Sequence, residues 1–224
     1  LAVLSLALLS AGCEQDSGGP SPAATGSAPA GQPSPLPPAE LDLAKGRSTP
    51  VADPVYPEHG NPAVDVLFYD LDLSWDPSAR QLSGRATLTV RATEPIDEIT
   101  LDFGGTLRAG TVTVAGAPAT ASQADDNLTV RLPQPLAADQ QAVLTVEYAG
   151  RPETVDAPMV RTDIPMVGLF VDDDGSAFAL QEPFGAFTWY PVNDHPSDEA
   201  LYDLSVSVPA GWAAVSGGDP QPVA

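Results

Sequence analysis

Apolar and polar residues alternate from Tyr69 to Trp75, with Leu67 continuing the apolar row. Leu67, Tyr69, Leu71, Leu73 and Trp75 share one face, and Asp70, Asp72 and Ser74 the other. Period-two alternation of this kind predicts a half-buried β-strand. Asp76-Pro77-Ser78 is turn chemistry, after which Leu82, Gly84, Ala86, Leu88 and Val90 alternate with Ser83, Arg85, Thr87, Thr89 and Arg91. This second strand is expected to pair antiparallel with the first. Ile99, Leu101 and Phe103 then alternate up to Gly104-Gly105, and Val112 and Val114 run to Gly116. Leu128, Val130 and Leu132 follow an Asp125-Asp126-Asn127 turn, and Leu144, Val146 and Tyr148 end at Gly150.

Residues 151–167 lose the alternation and read as a long loop. Asp172-Asp173-Asp174-Gly175 separates two apolar runs, Gly168–Val171 and Ser176–Leu180, and predicts a hairpin. It lacks the alternating ligands and distal Glu of a calcium loop. Tyr202, Leu204, Val206 and Val208 alternate with Asp203, Ser205 and Ser207, and Trp212–Val215 reads as the start of a further strand. With no segment of helical period, the fold class expected for residues 53–224 is all-β, an antiparallel β-sandwich or saddle.

The residues before the strands have another character. Positions 1–12 (LAVLSLALLSAG) are uncharged and apolar, shorter than a membrane span, and read as a signal peptide lacking its charged start. Leu9-Ser10-Ala11-Gly12-Cys13 resembles the bacterial lipobox, which makes Cys13, the single cysteine of the chain, the expected lipid-attachment site. The alternative is an ordinary secretory signal with an incidental cysteine. Residues 13–52 are rich in Pro, Gly, Ser and Ala and are expected to be a disordered tether, spanning roughly 35 Å root-mean-square. The domain is then expected outside the cytoplasm, anchored to the cell membrane. The chain starts without Met and stops at Gln221-Pro222-Val223-Ala224, so a fragment is expected at both ends. Its net charge of −21 repels phosphate backbones and argues against a nucleic-acid partner.

The candidate chemistry is concentrated in residues 180–196 (LQEPFGAFTWYPVNDHP). Pro183, Pro191 and Pro196 forbid a continuous helix or central strand and predict a fixed, irregular ledge held up by the strands. One of the chain's two histidines, His195, lies beside Asp194 and Asp198, a neighbourhood that could serve a metal or a general base. The plainer reading is a loop histidine bonded to a carboxylate. His59 and His195 do not make a zinc motif, and no nucleophile elbow, phosphate loop or Cys-x-x-Cys pair occurs. Asn127-Leu128-Thr129 matches a glycosylation sequon but reads as a turn entering a strand.

An ordered set of segments carries a family resemblance. Phe68-Tyr69-Asp70-Leu71-Asp72-Leu73, Leu82–Leu88 and Val146-Glu147-Tyr148-Ala149-Gly150 are followed by Glu182-Pro183 with Ala186, Pro191, Asp194 and Pro196. Tyr202–Pro209 and Gly211-Trp212 complete the set. Together they resemble the N-terminal β domain of aminopeptidase N-type zinc metallopeptidases over about residues 60–218. The resemblance implies a parent enzyme that removes N-terminal residues from peptides. Its thermolysin-like catalytic domain, with the zinc ligands and a Gly-x-Met-Glu-Asn loop, would follow residue 224, leaving no catalytic residue and no metal site in this chain. It also implies that Glu182, with Gln181 beside it, binds the free α-ammonium of the substrate. The family's Gln two places before this Glu is Leu180 here, and its Lys after the Pro-x-Asp step is Glu199. The residue-level alternatives are an ion pair of Glu182 with an arginine such as Arg161, and a stand-alone binding or adhesion module in which Phe184, Phe187, Trp189 and Tyr190 form an exposed stacking platform.

Overall fold

A computed structural model describes residues 41–157 and 163–219; Cys13, the lipobox and Arg161 lie outside them. Twelve strands are present among the described residues: β1 (Val64–Asp76), β2 (Gln81–Ala92), β3 (Ile96–Asp102), β4 (Leu107–Val114), β5 (Ala117–Pro118) and β6 (Ala121–Ala124), then β7 (Asn127–Leu136), β8 (Gln141–Gly150), β9 (Val155–Asp156), β10 (Met166–Val171), β11 (Ala177–Leu180) and β12 (Leu201–Ser207). A six-stranded sheet runs β12-β1-β2-β8-β4-β5, and β3-β7-β6 and β11-β10-β9 form two smaller sheets. The expected all-β architecture holds. The pairings are antiparallel except that β12 lies parallel to β1, placing Tyr202 opposite Tyr69. Alternation specifies a strand and its faces but not the direction of its neighbour.

The core fills the space between the large sheet and β3-β7-β6. Leu71, Leu73, Leu88, Val90, Leu144 and Val146 are buried with Ile99, Leu101, Leu128 and Val130. These are the inward rows of the sequence pattern, with an instructive exception at Leu67. A register shift between Val66 and Phe68 inserts an extra residue, so Val64 and Val66 join the same core as Tyr69. A β-bulge reverses which parity faces inward, and Leu67 is buried outside that row. The β6–β7 turn is tight, with Asp125 and Asp126 both at positive φ (50° and 58°). At the far end the β10–β11 hairpin is pinned to the β1–β2 turn, where Trp75 Nε1 donates to Gly175 O at 2.9 Å.

Other expectations are corrected. Residues 41–52, placed in the tether by their composition, belong to the same compact unit as the strands. A 3-10 turn at Leu43–Gly46, capped by the Asp42 side chain, packs against β1 and β12, with Gly46 against the Leu67 carbonyl and the Leu201 amide. Polar bonds rather than apolar burial hold this segment, which is why its composition concealed it. Ser48 Oγ donates to Asp65 at 2.6 Å and Ser48 O accepts from Arg91 at 2.9 Å. Arg91 is therefore buried, although the alternation of β2 put it on the outer face. The supposed loop 151–167 contains β9 and the start of β10. Trp212–Val215 is exposed and forms no strand; apolar character makes a strand only where another strand offers its hydrogen-bonding edge.

Tyr148 exposes a local compromise. Its ring lies over Gly84, where a Cβ would overlap it, and burial pushes its hydroxyl pKa up. That hydroxyl has no hydrogen-bond partner among the described residues. A buried unpaired hydroxyl costs about 1–3 kcal/mol. Tyr148→Phe is therefore expected to leave stability unchanged or raise it by up to that amount, measured by chemical denaturation of both forms; a clear loss would mean the hydroxyl is paired.

Candidate functional site

The ledge between β11 and β12 is built by the ends of distant strands. Its centre is a 3-10 turn, Ala186–Thr188, preceded by Gly185 at φ 131° with no side-chain cap of its own. Only glycine fits there, because a Cβ would come 2.9 Å from the Gly168 amide nitrogen. The missing cap is Asp194, whose Oδ2 accepts from the amides of Gly185 at 2.8 Å and Phe187 at 3.1 Å. Thr188 Oγ1 donates to Gly185 O and accepts from Leu169 N at 2.9 Å, tying the turn to β10.

Asp102, at the end of β3, anchors the other side. Its backbone exchanges two hydrogen bonds with Val192, at 2.8 and 3.0 Å. Its carboxylate accepts from the amides of Gly60 and Asp194, each at 3.0 Å, and meets His59 Nδ1 at 3.2 Å. Burial disfavours the charged His59 ring, but the hydrogen bond and charge of Asp102 outweigh it and raise the His59 pKa. The same ring stacks on Phe184 with centroids 3.9 Å apart. Asn193 is saturated as well: its Nδ2 donates to Val64 O at 2.9 Å and to Asp198 Oδ2 at 2.5 Å, and its Oδ1 accepts from Asn61 N at 2.6 Å.

The candidate residues fall into two groups. Glu182 and Gln181 stand exposed at the rim. Gln181 Oε1 accepts from Trp189 Nε1 at 3.0 Å, whereas Glu182 has no hydrogen bond or ion pair among the described residues. His195 turns to neither Asp194 nor Asp198. Its Nδ1 lies 2.7 Å from Ser197 Oγ and its Nε2 3.2 Å from Asp53, leaving neither nitrogen for a metal. No group of three or more His, Cys, Asp or Glu among the described residues is arranged to hold one. Phe184, Phe187 and Tyr190 are buried at 8%, 2% and 2% exposure, which removes the aromatic platform.

A depression of about 310 Å³ opens under Phe184 and Phe187, lined also by Glu58, His59, Asp102 and Asp126. Glu182 does not line it. The Asp102 carboxylate is already committed to the ledge, and Asp126 Oδ1 accepts from the Gly105 amide at 2.6 Å, so this hollow is part of the support. Sequence reasoning missed Asp102 and Asp53. Asp102 sat in an unremarkable strand end before Gly104-Gly105, and Asp53 is separated from His195 by almost the whole domain.

The comparisons with known proteins meet on this domain. The peptidase M1 N-terminal domain profile matches residues 66–223. An aminopeptidase N from Acetobacter pasteurianus is 29% identical over 157 residues, 66% of this chain and 41% of that protein. An M1 zinc metallopeptidase from Deinococcus radiodurans, as a mutant bound to a Tyr-Ser-Ala substrate, is 35% identical with a TM-score of 0.64, over 73% of this chain and 36% of its own. A mutant two-domain M1 zinc metallopeptidase bound to L-arginine gives 36% identity and a TM-score of 0.65, over 73% and 36% of the two chains. The chain thus spans well under half the length of these relatives.

Gly185→Ala tests the geometry of the ledge. With positive φ and backbone in the way, it is expected to destabilise the domain by at least about 1–3 kcal/mol, read as a lowered denaturation midpoint; an unchanged midpoint would mean the turn is free to move.

Proposed function

Since the chain belongs to the peptidase M1 family through its N-terminal domain, we propose that it forms one wall of the substrate cleft of a zinc aminopeptidase. The observation that carries this reading is the isolation of Glu182. It stands exposed, with no hydrogen bond or ion pair among the described residues, on a loop whose remaining polar groups are largely committed to one another. An exopeptidase must distinguish a free α-ammonium from an internal amide, and a carboxylate on a rigid support does so by charge-assisted hydrogen bonds. Glu182 takes that role. Gln181, its carbonyl engaged by Trp189, keeps its amide donors for the substrate's polar groups.

No set of described residues fits the zinc named in the relatives, and this reading assigns its ligands and the hydrolytic residues to a catalytic domain of the parent protein. Phe178, 52% exposed and stacked on Phe170 just ahead of the ledge, offers apolar surface for that domain to cover. The substrates are peptides with a free N-terminus. Residues 1–12 act as a signal peptide, and Cys13 carries the lipid that anchors the protein to the membrane outside the cytoplasm. The acidic surface suits such a solvated position and no nucleic-acid partner.

In the full-length parent, Glu182→Ala is expected to lower kcat/KM on free-N-terminus peptides about 10- to 100-fold, the worth of a lost charge-assisted bond, with zinc content unchanged. Normal kinetics would end the assignment. Cys13→Ser is expected to move the protein from the membrane to the soluble fraction; continued membrane association would rule out the lipid anchor.

A further inference from the structure

Glu182 follows β11, whose last residue Leu180 pairs with Gly168, and on its C-terminal side it is held by bonds from elsewhere in the fold. The segment Glu182-Pro183-Phe184-Gly185 has no side-chain cap of its own at the 3-10 turn it enters. Besides the Thr188 link to β10, two attachments hold its far end, and both of these lead to Asp102. Phe184 lies under the His59 ring, whose Nδ1 is 3.2 Å from Asp102 Oδ1. Gly185 and Phe187 donate their amides to Asp194 Oδ2, and the Asp194 amide donates to Asp102 Oδ2 at 3.0 Å. The first-turn amides of a helix are orphan donors carrying partial positive charge. A carboxylate arriving from beyond the turn satisfies them more strongly than a neutral acceptor.

On this geometry, and resting on the amine-binding role of Glu182, we propose that Asp194 is a positioning residue: its carboxylate clamps the Gly185 and Phe187 amides and so holds Glu182 where a substrate ammonium must be received. Asp194 touches neither the substrate nor a metal. It acts through the loop, and its effect is on binding rather than on the chemical step.

The clamp is sensitive to pH. Burial raises the Asp194 pKa, against the two amide bonds that lower it, to about 6. The titratable groups facing it are Asp102 from β3, His59 from the segment before β1, Tyr190 from the ledge and Tyr202 from β12; Glu58 faces His59 in turn. A folded-state value above the unfolded one means that the protonated form is the better accommodated, so this group's contribution to global stability is lost as pH rises through about 6. The local consequence is opposite. As pH falls through that value, Asp194 loses its charge and the two amide bonds weaken.

Amide hydrogen exchange of the 224-residue chain, read by NMR between pH 5 and 8 and corrected for intrinsic rates, tests the clamp. Protection of Gly185 and Phe187 is expected to fall about tenfold through pH 6 in the wild type. It should be flat with pH in Asp194→Asn, which keeps an acceptor oxygen, and lost throughout in Asp194→Ala, while the amides of β1 and β2 stay protected. Unchanged protection in Asp194→Ala would overturn the proposal. In the full-length parent, Asp194→Ala should raise KM for free-N-terminus peptides about tenfold with kcat within about twofold, and Asp194→Asn should restore most of the loss. Glu182→Gln, run alongside, separates the two ideas. An impaired Glu182→Gln with a normal Asp194→Ala overturns the positioning role alone, and normal kinetics in both overturns the amine-binding reading and the proposal with it.

Discussion

Asp102 commits its backbone and its side chain to one task. Two backbone bonds to Val192 stitch the ledge to the end of β3, and the carboxylate gathers the amides of Gly60 and Asp194 and the ring of His59. A carboxylate of a residue only 4% exposed is tolerable where both its oxygens have donors. That condition fixes the relative positions of three stretches distant in sequence. The approach to β1, the end of β3 and the proline-rich ledge are one unit because none can move without stranding a buried charge. The rest of the sandwich is the apolar body on which this point is mounted.

A second buried carboxylate works in the same way near the start of β1. Asp65 is fully buried, 2.7 Å from Arg91 Nε, and shares the Ser48 hydroxyl with Asp198. Burial, reinforced by the Asp65 charge and opposed by the Asn193 amide, holds Asp198 well above the ordinary carboxylate range. Such pairs are weak sources of net stability, yet breaking one is costly because its partner is left buried and unpaired. Their effect here is placement. Asp198 bonds the β1 amide of Val66 at 3.1 Å and the Asn193 side chain, so the end of the ledge and the residues around Ser48 are docked on the same strand. A chain with so few basic residues uses Arg91 to make that junction possible.

These constraints give a functional surface its economy. A carboxylate meant to receive an ammonium gains from being held in place beforehand, since less ordering entropy is then lost on binding. The ledge supplies that order without its own regular structure. Its 3-10 turn is capped from Asp194, Phe184, Phe187 and Tyr190 are buried, and Glu182 is left exposed at the rim beside Gln181. The domain is thus suited to forming a wall, with the reaction carried out by groups outside it.

Much of the fold was legible in the residues. The rows of β1, β2, β3, β7 and β8, the tight turn at Asp125-Asp126 and the hairpin at Gly175 follow from local sterics and from alternation against one apolar core. So does the irregular ledge, because proline removes donors wherever it occurs. The candidate site was legible as Glu182 and Gln181 only through the order of the segments around them, and its support was not. Tertiary structure alone decided the parallel docking of β12, the bulge that displaced Leu67, the burial of Arg91 under residues 41–52, and the pairing of His195 with Asp53 and of His59 with Asp102. Periodicity reports which side of a strand avoids water, a property of neighbouring residues. The partner of a buried charge is chosen by whichever distant donor the folded chain brings within about 3 Å, and spacing along the sequence carries no record of that choice.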